Sequence, residues 1–268
     1  MIHIALEQRW IAASALAILL CVASISGVVR RQRLPASAME FVRIPPGEFM
    51  MGCSTSDNEC DDDEKPAHQV TITKGFLIGR YEVTAGQWKA VMGKEPPNFK
   101  ADFLPAQFVS WNEAQEFIRR LNQRNDGYLY RLPTEAEWEY TCRAGTKGDY
   151  PDNLEWLAWY EANSGHRPHQ IGEKHPNDWG VYDMNGNLEE WCQDWYDKDY
   201  YSHSPGTDPQ GPATGTERVI RGGSFIDSGP FSAVVDGSKL RSPARWQSTP
   251  AGILDSYGFR VVAVTRSQ

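Results

Sequence analysis

From Tyr150 almost to the C-terminus, Gly, Asn, Asp, Pro and Ser recur with scarcely any helical or strand periodicity. Ordering that much irregular backbone costs ~1–2 kcal/mol per residue in entropy, and few regular ladders are on offer to hold it. Such a chain needs fixed points: bound cations, disulfides or packed aromatic rings. The rings are present, with ten Trp, eleven Tyr and ten Phe, enough for a large core. The net charge of −8 argues against a nucleic-acid partner, which is usually met by a basic face; its plain reading is solubility.

The N-terminus has a different character. Residues 10–29 carry no charge, a run long enough to span a bilayer. Arg9 precedes it, and Arg30, Arg31 and Arg33 follow. Residues 1–38 therefore read as a membrane-targeting segment (signal peptide or anchor) that ends in a linker from Arg30 to Ala38. The Arg-rich C-terminal flank would favour the cytoplasm, whereas Ala36-Ser37-Ala38 resembles a cleavage triplet set far past the apolar core. Cleavage and orientation stay open. Residues 39–268 form the globular part, expected outside the cytoplasm, in the periplasm or at the cell surface. Cys53 and Cys60 flank a short acidic loop and could close a disulfide, which fits an oxidising compartment; a zinc site would want short paired spacings and histidines in register. Cys142 and Cys192 could form a second pair.

Within the globular part, Phe41–Ile44 and Glu48–Gly52 read as strands around a Pro45-Pro46-Gly47 turn. Val70–Thr73 and Phe76–Ile78 around Lys74-Gly75 predict a hairpin. Three capping boxes predict three helices: Thr84 with Gln87, Ser110 with Glu113, and Thr134 with Glu137. Gly93 can close the first helix, and Trp111, Ala114, Ile118 and Leu121 share a face of the second. Tyr257–Val264 reads as a buried last strand. The class is α+β with long loops.

Asp183-Met184-Asn185-Gly186-Asn187-Leu188-Glu189-Glu190 is the strongest chemical signal. A hard cation such as Ca²⁺ takes six to eight oxygens, and here two acids bracket a Gly-Asn turn. Taken alone, the stretch also reads as a surface turn with solvated acids. The acidic run Asp57 to Glu64 does not fit an EF-hand, because the positions that need Gly and Glu hold Asp62 and His68; it reads as a solvated loop or a weak cation surface. No phosphate loop, dinucleotide fingerprint, His-Glu-x-x-His or nucleophile elbow occurs.

The order of motifs resembles the formylglycine-generating-enzyme, or sulfatase-modifying-factor, family: Ile44-Pro45-Pro46-Gly47-Glu48-Phe49-Met50-Met51-Gly52, Tyr81-Glu82-Val83-Thr84, Arg131-Leu132-Pro133-Thr134-Glu135-Ala136-Glu137-Trp138, Trp179-Gly180-Val181-Tyr182-Asp183-Met184-Asn185-Gly186-Asn187, Arg221-Gly222-Gly223-Ser224-Phe225 and Gly258-Phe259-Arg260. The resemblance implies a loop-rich variant of the C-type-lectin fold with little regular secondary structure. It implies calcium held by Asp183, Gly186, Leu188 and Glu190, and only doubtfully a second calcium near Asn163-Ser164. The enzymes of the family hold copper with two thiolates soon after Gly-Gly-Ser and oxidise a substrate cysteine with O₂. Here Asp227 stands at the first such place and no cysteine follows Cys192. Two thiolates suit Cu(I); carboxylate and hydroxyl do not, so copper is not expected. The expectation is a binding or accessory module with a pocket formed by Ser224, Asp227, Arg245 and Trp246, for a protein or small-molecule ligand. The alternatives are an oxidase of altered chemistry, since cysteine-free relatives act in periplasmic siderophore maturation, or formylglycine generation itself.

Overall fold

The three capping boxes form as the sequence predicts. Thr84, Ser110 and Thr134 each accept from the backbone three residues on, while Gln87, Glu113 and Glu137 reach back to the cap. They open helices α1 (Ala85–Met92), α2 (Trp111–Asn122) and α3 (Glu135–Arg143). Gly93 ends α1 at φ 75°, a conformation glycine adopts without steric cost. The computed structural model describes residues 37–54, 59–98, 100–149, 151, 153–226 and 238–266. The chain divides into Met1–Pro35 and Ala36–Gln268, and the described fold belongs to the second unit. The expected targeting segment, residues 10–29, lies outside the described residues; among the described ones no helix is long and apolar enough to cross a membrane.

Among the described residues ten short strands make three sheets. One has the order β1 (Phe41–Ile44), β4 (Phe76–Gly79), β10 (Val262–Thr265), β5 (Tyr128–Arg131), all antiparallel. A second pairs β2 (Gly47–Met51) with β3 (His68–Ile72). The third runs β8 (Trp246–Ser248), β7 (Arg218–Arg221), β6 (Glu189–Trp195), β9 (Tyr257–Gly258), with β6 and β9 parallel. The predicted hairpin across Lys74-Gly75 does not form. Its two arms, β3 and β4, enter different sheets because Asp208 captures the Thr73 amide at 2.8 Å and turns the chain aside. The expected last strand is likewise divided, into β9 and β10, with the buried Phe259 and Arg260 between them.

Two apolar cores result. One gathers Ile44, Val70, Ile78, Trp138, Tyr140 and Val219 under α3. The other holds α2 through Phe117, Ile118 and Leu121, with Trp88 stacked on Phe117 at 5.7 Å. Burying each such side chain contributes about 1.5–3 kcal/mol. Helix α3 departs from the amphipathic pattern: all nine of its residues are buried, including Glu135, Glu137, Glu139 and Arg143. Its charges need partners inside the protein.

Cys53 and Cys60 are joined in a disulfide, Cα to Cα 6.0 Å, whereas Cys142 and Cys192 are free and buried. Thiol labelling of the denatured chain without reductant should therefore modify Cys142 and Cys192 and spare Cys53 and Cys60. Replacing both bridged cysteines by serine is expected to lower stability by roughly 2 kcal/mol, as suits a short cross-linked loop; chemical denaturation of the two proteins measures it.

Candidate functional site

The turn preceding β6 is held by unusual backbone. Asp183, Gly186 and Asn187 have φ of 56°, 93° and 64°. At Gly186 any side chain would also meet the carbonyl oxygen of Trp159, 2.3 Å from where a Cβ would stand. Hydrogen bonds clamp the turn on both sides, Gly186 N to Gly222 O and Asn187 N to Trp159 O, each 2.7 Å. The Gly-Gly motif and the turn are thus one construction.

Three carboxylates converge there, Glu82, Asp183 and Glu190, each no more than 3% exposed. Glu82 accepts from Leu188 N (2.9 Å) and Asn187 Nδ2 (2.7 Å). Asp183 Oδ2 accepts from Gly172 N at 2.8 Å, while its Oδ1 is buried with no partner. Glu190 accepts from Arg260 Nε (2.7 Å) and Nη2 (2.5 Å) and from Trp138 Nε1 (2.8 Å). One guanidinium faces three carboxylates. Burial pushes Asp183 up to about 6. Burial, then the charges of Asp183 and Glu190, raise Glu82 well above the usual carboxylate range.

Two of these carboxylates, Asp183 and Glu190, have oxygen lone pairs that a hard cation could use, although the three carboxylates do not all bring ligand atoms within close reach of one another. Asp183 offers an unpaired oxygen, Glu190 Oε1 keeps a lone pair beyond its bond to Arg260, and the surplus negative charge is what a divalent ion would neutralise. Sequence reasoning named Asp183, Gly186, Leu188 and Glu190 but missed Glu82, although its Tyr-Glu-Val-Thr motif was visible. At the second place, Asn163 Oδ1 accepts from Tyr160 N at 3.0 Å, and the Ser164 carbonyl meets His169 Nε2 at 2.8 Å. Among the described residues, three Cys, His, Asp or Glu side chains offer close ligand atoms only at Cys53, Cys60 and Glu64. There the sulfurs are bonded to each other and Glu64 is held by Arg241.

The charges of α3 find their partners around the Gly-Gly motif. Arg221 is fully buried and donates to Glu135 (3.3 Å), Glu139 (2.5 Å) and the carbonyls of Ser242 and Pro243 (2.7 and 2.9 Å). Arg245 makes a two-pronged pair with Glu135 at 2.7 and 2.9 Å and donates to Asp63 O at 2.7 Å. Burial pushes Glu135 up, but Arg245 and Arg221 together overcome it and hold this carboxyl below its ordinary value. Two sequence readings change here. Arg245 was expected to face a ligand, yet its guanidinium is spent on Glu135 and on the loop of Asp63. Glu64, placed in a solvated acidic run, is buried and paired with Arg241 at 2.7 Å.

Of the other residues assigned to that pocket, Asp227 lies outside the described residues. Ser224 is buried. Trp246 sits in β8 under the Lys239 ammonium, 4.3 Å from its ring centre. None of Ser224, Arg245 and Trp246 lines the two larger cavities described for this fold, of about 320 and 630 Å³. The smaller is floored by Cys142, Asn185 and Ser242. The Cys142 sulfur lies 3.5 Å from both Ser242 Oγ and Asn185 Nδ2. Burial raises the Cys142 thiol, and burial with nearby acids raises Cys192 further. Neither is a ready thiolate.

With motifs, clamped turn and buried ion pairs in place, comparison with known proteins is decisive. Residues 26–265 match the sulfatase-modifying factor enzyme 1-like domain. The chain belongs to this family. It is 29% identical to the formylglycine-generating enzyme of Streptomyces coelicolor, over 84% of this chain and 90% of that protein. It is 28% identical to the chaperone protein LppX of Paenibacillus barcinonensis, covering 83% of this chain and 97% of that one. The structure of PvdO from Pseudomonas aeruginosa superposes with a TM-score of 0.74 at 27% identity, covering 85% of this chain and 95% of PvdO. The loop-rich α+β fold of the family is therefore the fold of this chain.

Proposed function

We propose that this chain is a non-catalytic, extracytoplasmic binding or accessory member of the family, braced by calcium at Asp183, Gly186, Leu188 and Glu190 and brought to the membrane by residues 10–29. One observation carries the reading: no cysteine follows Cys192 in the sequence. The two thiolates that would hold Cu(I) after Gly222-Gly223-Ser224 have no candidates, and a buried, protonated thiol such as Cys142 is a poor substitute. A relative named as a chaperone over nearly its whole length supports an accessory role on this fold. The disulfide between Cys53 and Cys60 supports an oxidising compartment. The unpaired Asp183 oxygen beside the surplus of carboxylates supports the calcium. When bound, calcium would supply charge neutralisation and a fixed geometry; Glu82, Asn187 and Arg260 hold the turn in shape.

The test is incubation with a Cys-x-Pro-x-Arg peptide, copper and O₂, followed by mass measurement. The peptide mass is expected to stay unchanged. Copper-dependent conversion of the cysteine to formylglycine would overturn the reading.

A further inference from the structure

The cavity of about 320 Å³ has a one-sided chemistry. Its volume is at the lower end of small-ligand sites. Among the described residues Arg143 is the only guanidinium in its wall, and it is committed to Glu139 at 2.9 Å and to the carbonyls of Gly148 and Gly52 at 3.0 and 2.8 Å. Among the described lining residues no lysine and no uncommitted arginine remains to receive an anionic ligand. Acceptors, by contrast, are free. Asn185 is 6% exposed, and its Nδ2 is fixed by the Leu240 carbonyl at 2.7 Å. That orientation leaves Oδ1 without a donor among the described residues, in a side chain that lines the cavity. Asp178, in the same wall, is exposed and forms no ion pair among the described residues. Trp156, 60% exposed, brings a large apolar face, one side of it stacked on His175 at 5.3 Å.

A ligand for this cavity must bring the hydrogen-bond donors, positive charge and an apolar arm. We infer that the cavity binds a primary alkylammonium group, either a free diamine or a lysine side chain of a polypeptide. The ammonium is bound by Asn185 Oδ1 and Asp178, with the apolar arm laid against the exposed face of Trp156. The net charge of −8 favours the approach of a cation. This deepens, and rests on, the binding-module reading.

Calorimetric titration of the full chain in calcium buffer tests it. The probes are 1-aminohexane, its neutral counterpart 1-hexanol, and hexanoate. 1-Aminohexane should bind at least about tenfold more tightly than 1-hexanol, a difference of ~1.4 kcal/mol, and hexanoate should not bind. Asp178→Asn and Trp156→Ala, both at exposed positions, should each weaken the amine about threefold or more with melting unchanged. 1,5-Diaminopentane against Nα-acetyl-lysine methylamide then separates the two sources, since a polypeptide lysine requires that the amide bind. Equal binding of amine and alcohol, or full amine affinity in both variants, would overturn the inference. Those outcomes leave the sulfatase-peptide result untouched, and turnover of that peptide would sink the module reading without altering the titration.

Discussion

Replacing Arg221 by Leu should lower the unfolding free energy by about 3–5 kcal/mol and the melting temperature by roughly 6–20 °C. The guanidinium holds Glu135 and Glu139 from the centre of the protein and satisfies the carbonyls of Ser242 and Pro243. Without it, two carboxylates buried to 2% exposure or less keep only Arg245 and Arg143 as counterions, and two carbonyls lose their donor. Removing one member of a buried pair strands the other in a medium that solvates it poorly, so the loss far exceeds the net worth of the pair. Adding Glu139→Gln to Arg221→Leu should recover part of the loss, because it removes a stranded charge. Arg119→Leu is the control: its pair with Glu116 lies on the exposed face of α2, and melting should stay at the wild-type value. Urea denaturation of the four proteins decides the matter. An Arg221→Leu protein as stable as the parent would mean that the ion-pair network does not organise the fold.

That network marks the limit of what the sequence showed. Capping boxes are legible because cap and partner are three residues apart, and all three formed. The clamped turn before β6 was legible because Asp183 to Glu190 are eight consecutive residues. Arg221 and Glu139, however, lie 82 residues apart, Arg245 and Glu135 110 apart, and Arg241 and Glu64 177 apart. No local pattern reports such pairings. Arg245 therefore looked free to meet a ligand, and Glu64 looked solvated within an acidic run. The hairpin at Lys74-Gly75 failed for a related reason: a turn signal fixes a bend, but a distant Asp208 decided which sheet each arm joined. Glu82 belongs to the same class, since only the folded chain brings it to Leu188 N, 106 residues away.

The second large effect is expected at the turn proposed to hold calcium, and it depends on pH. Chelation of the purified protein at pH 7.5 should lower its melting temperature by roughly 5–10 °C, the effect of losing a ligand held at about a hundred times its dissociation constant, near 2.7 kcal/mol. Without a cation, burial pushes the Asp183 carboxyl up to about 6 from an ordinary 3.8. A carboxyl whose folded value is raised stabilises fully below the unfolded value and loses that contribution as pH rises through the folded one. The chelated protein should accordingly melt lower at pH 7.5 than at pH 5. Glu82, raised for the same reason, acts in the same direction. Calcium reverses the trend, because it binds the ionised carboxylates that the empty site disfavours, so the calcium-dependent increment in melting temperature should grow between pH 5 and 7.5. Asp183→Asn removes both the charge that a cation needs and the charge that burial resists. That variant should lose its sensitivity to chelation and the part of the decline with pH that Asp183 contributes, leaving the part due to Glu82. Thermal melts of both proteins, with calcium and with EGTA at the two pH values, read all of this at once. An increment independent of pH would place the cation elsewhere; no increment after verified metal removal would leave the three carboxylates balanced by Arg260 and protons alone.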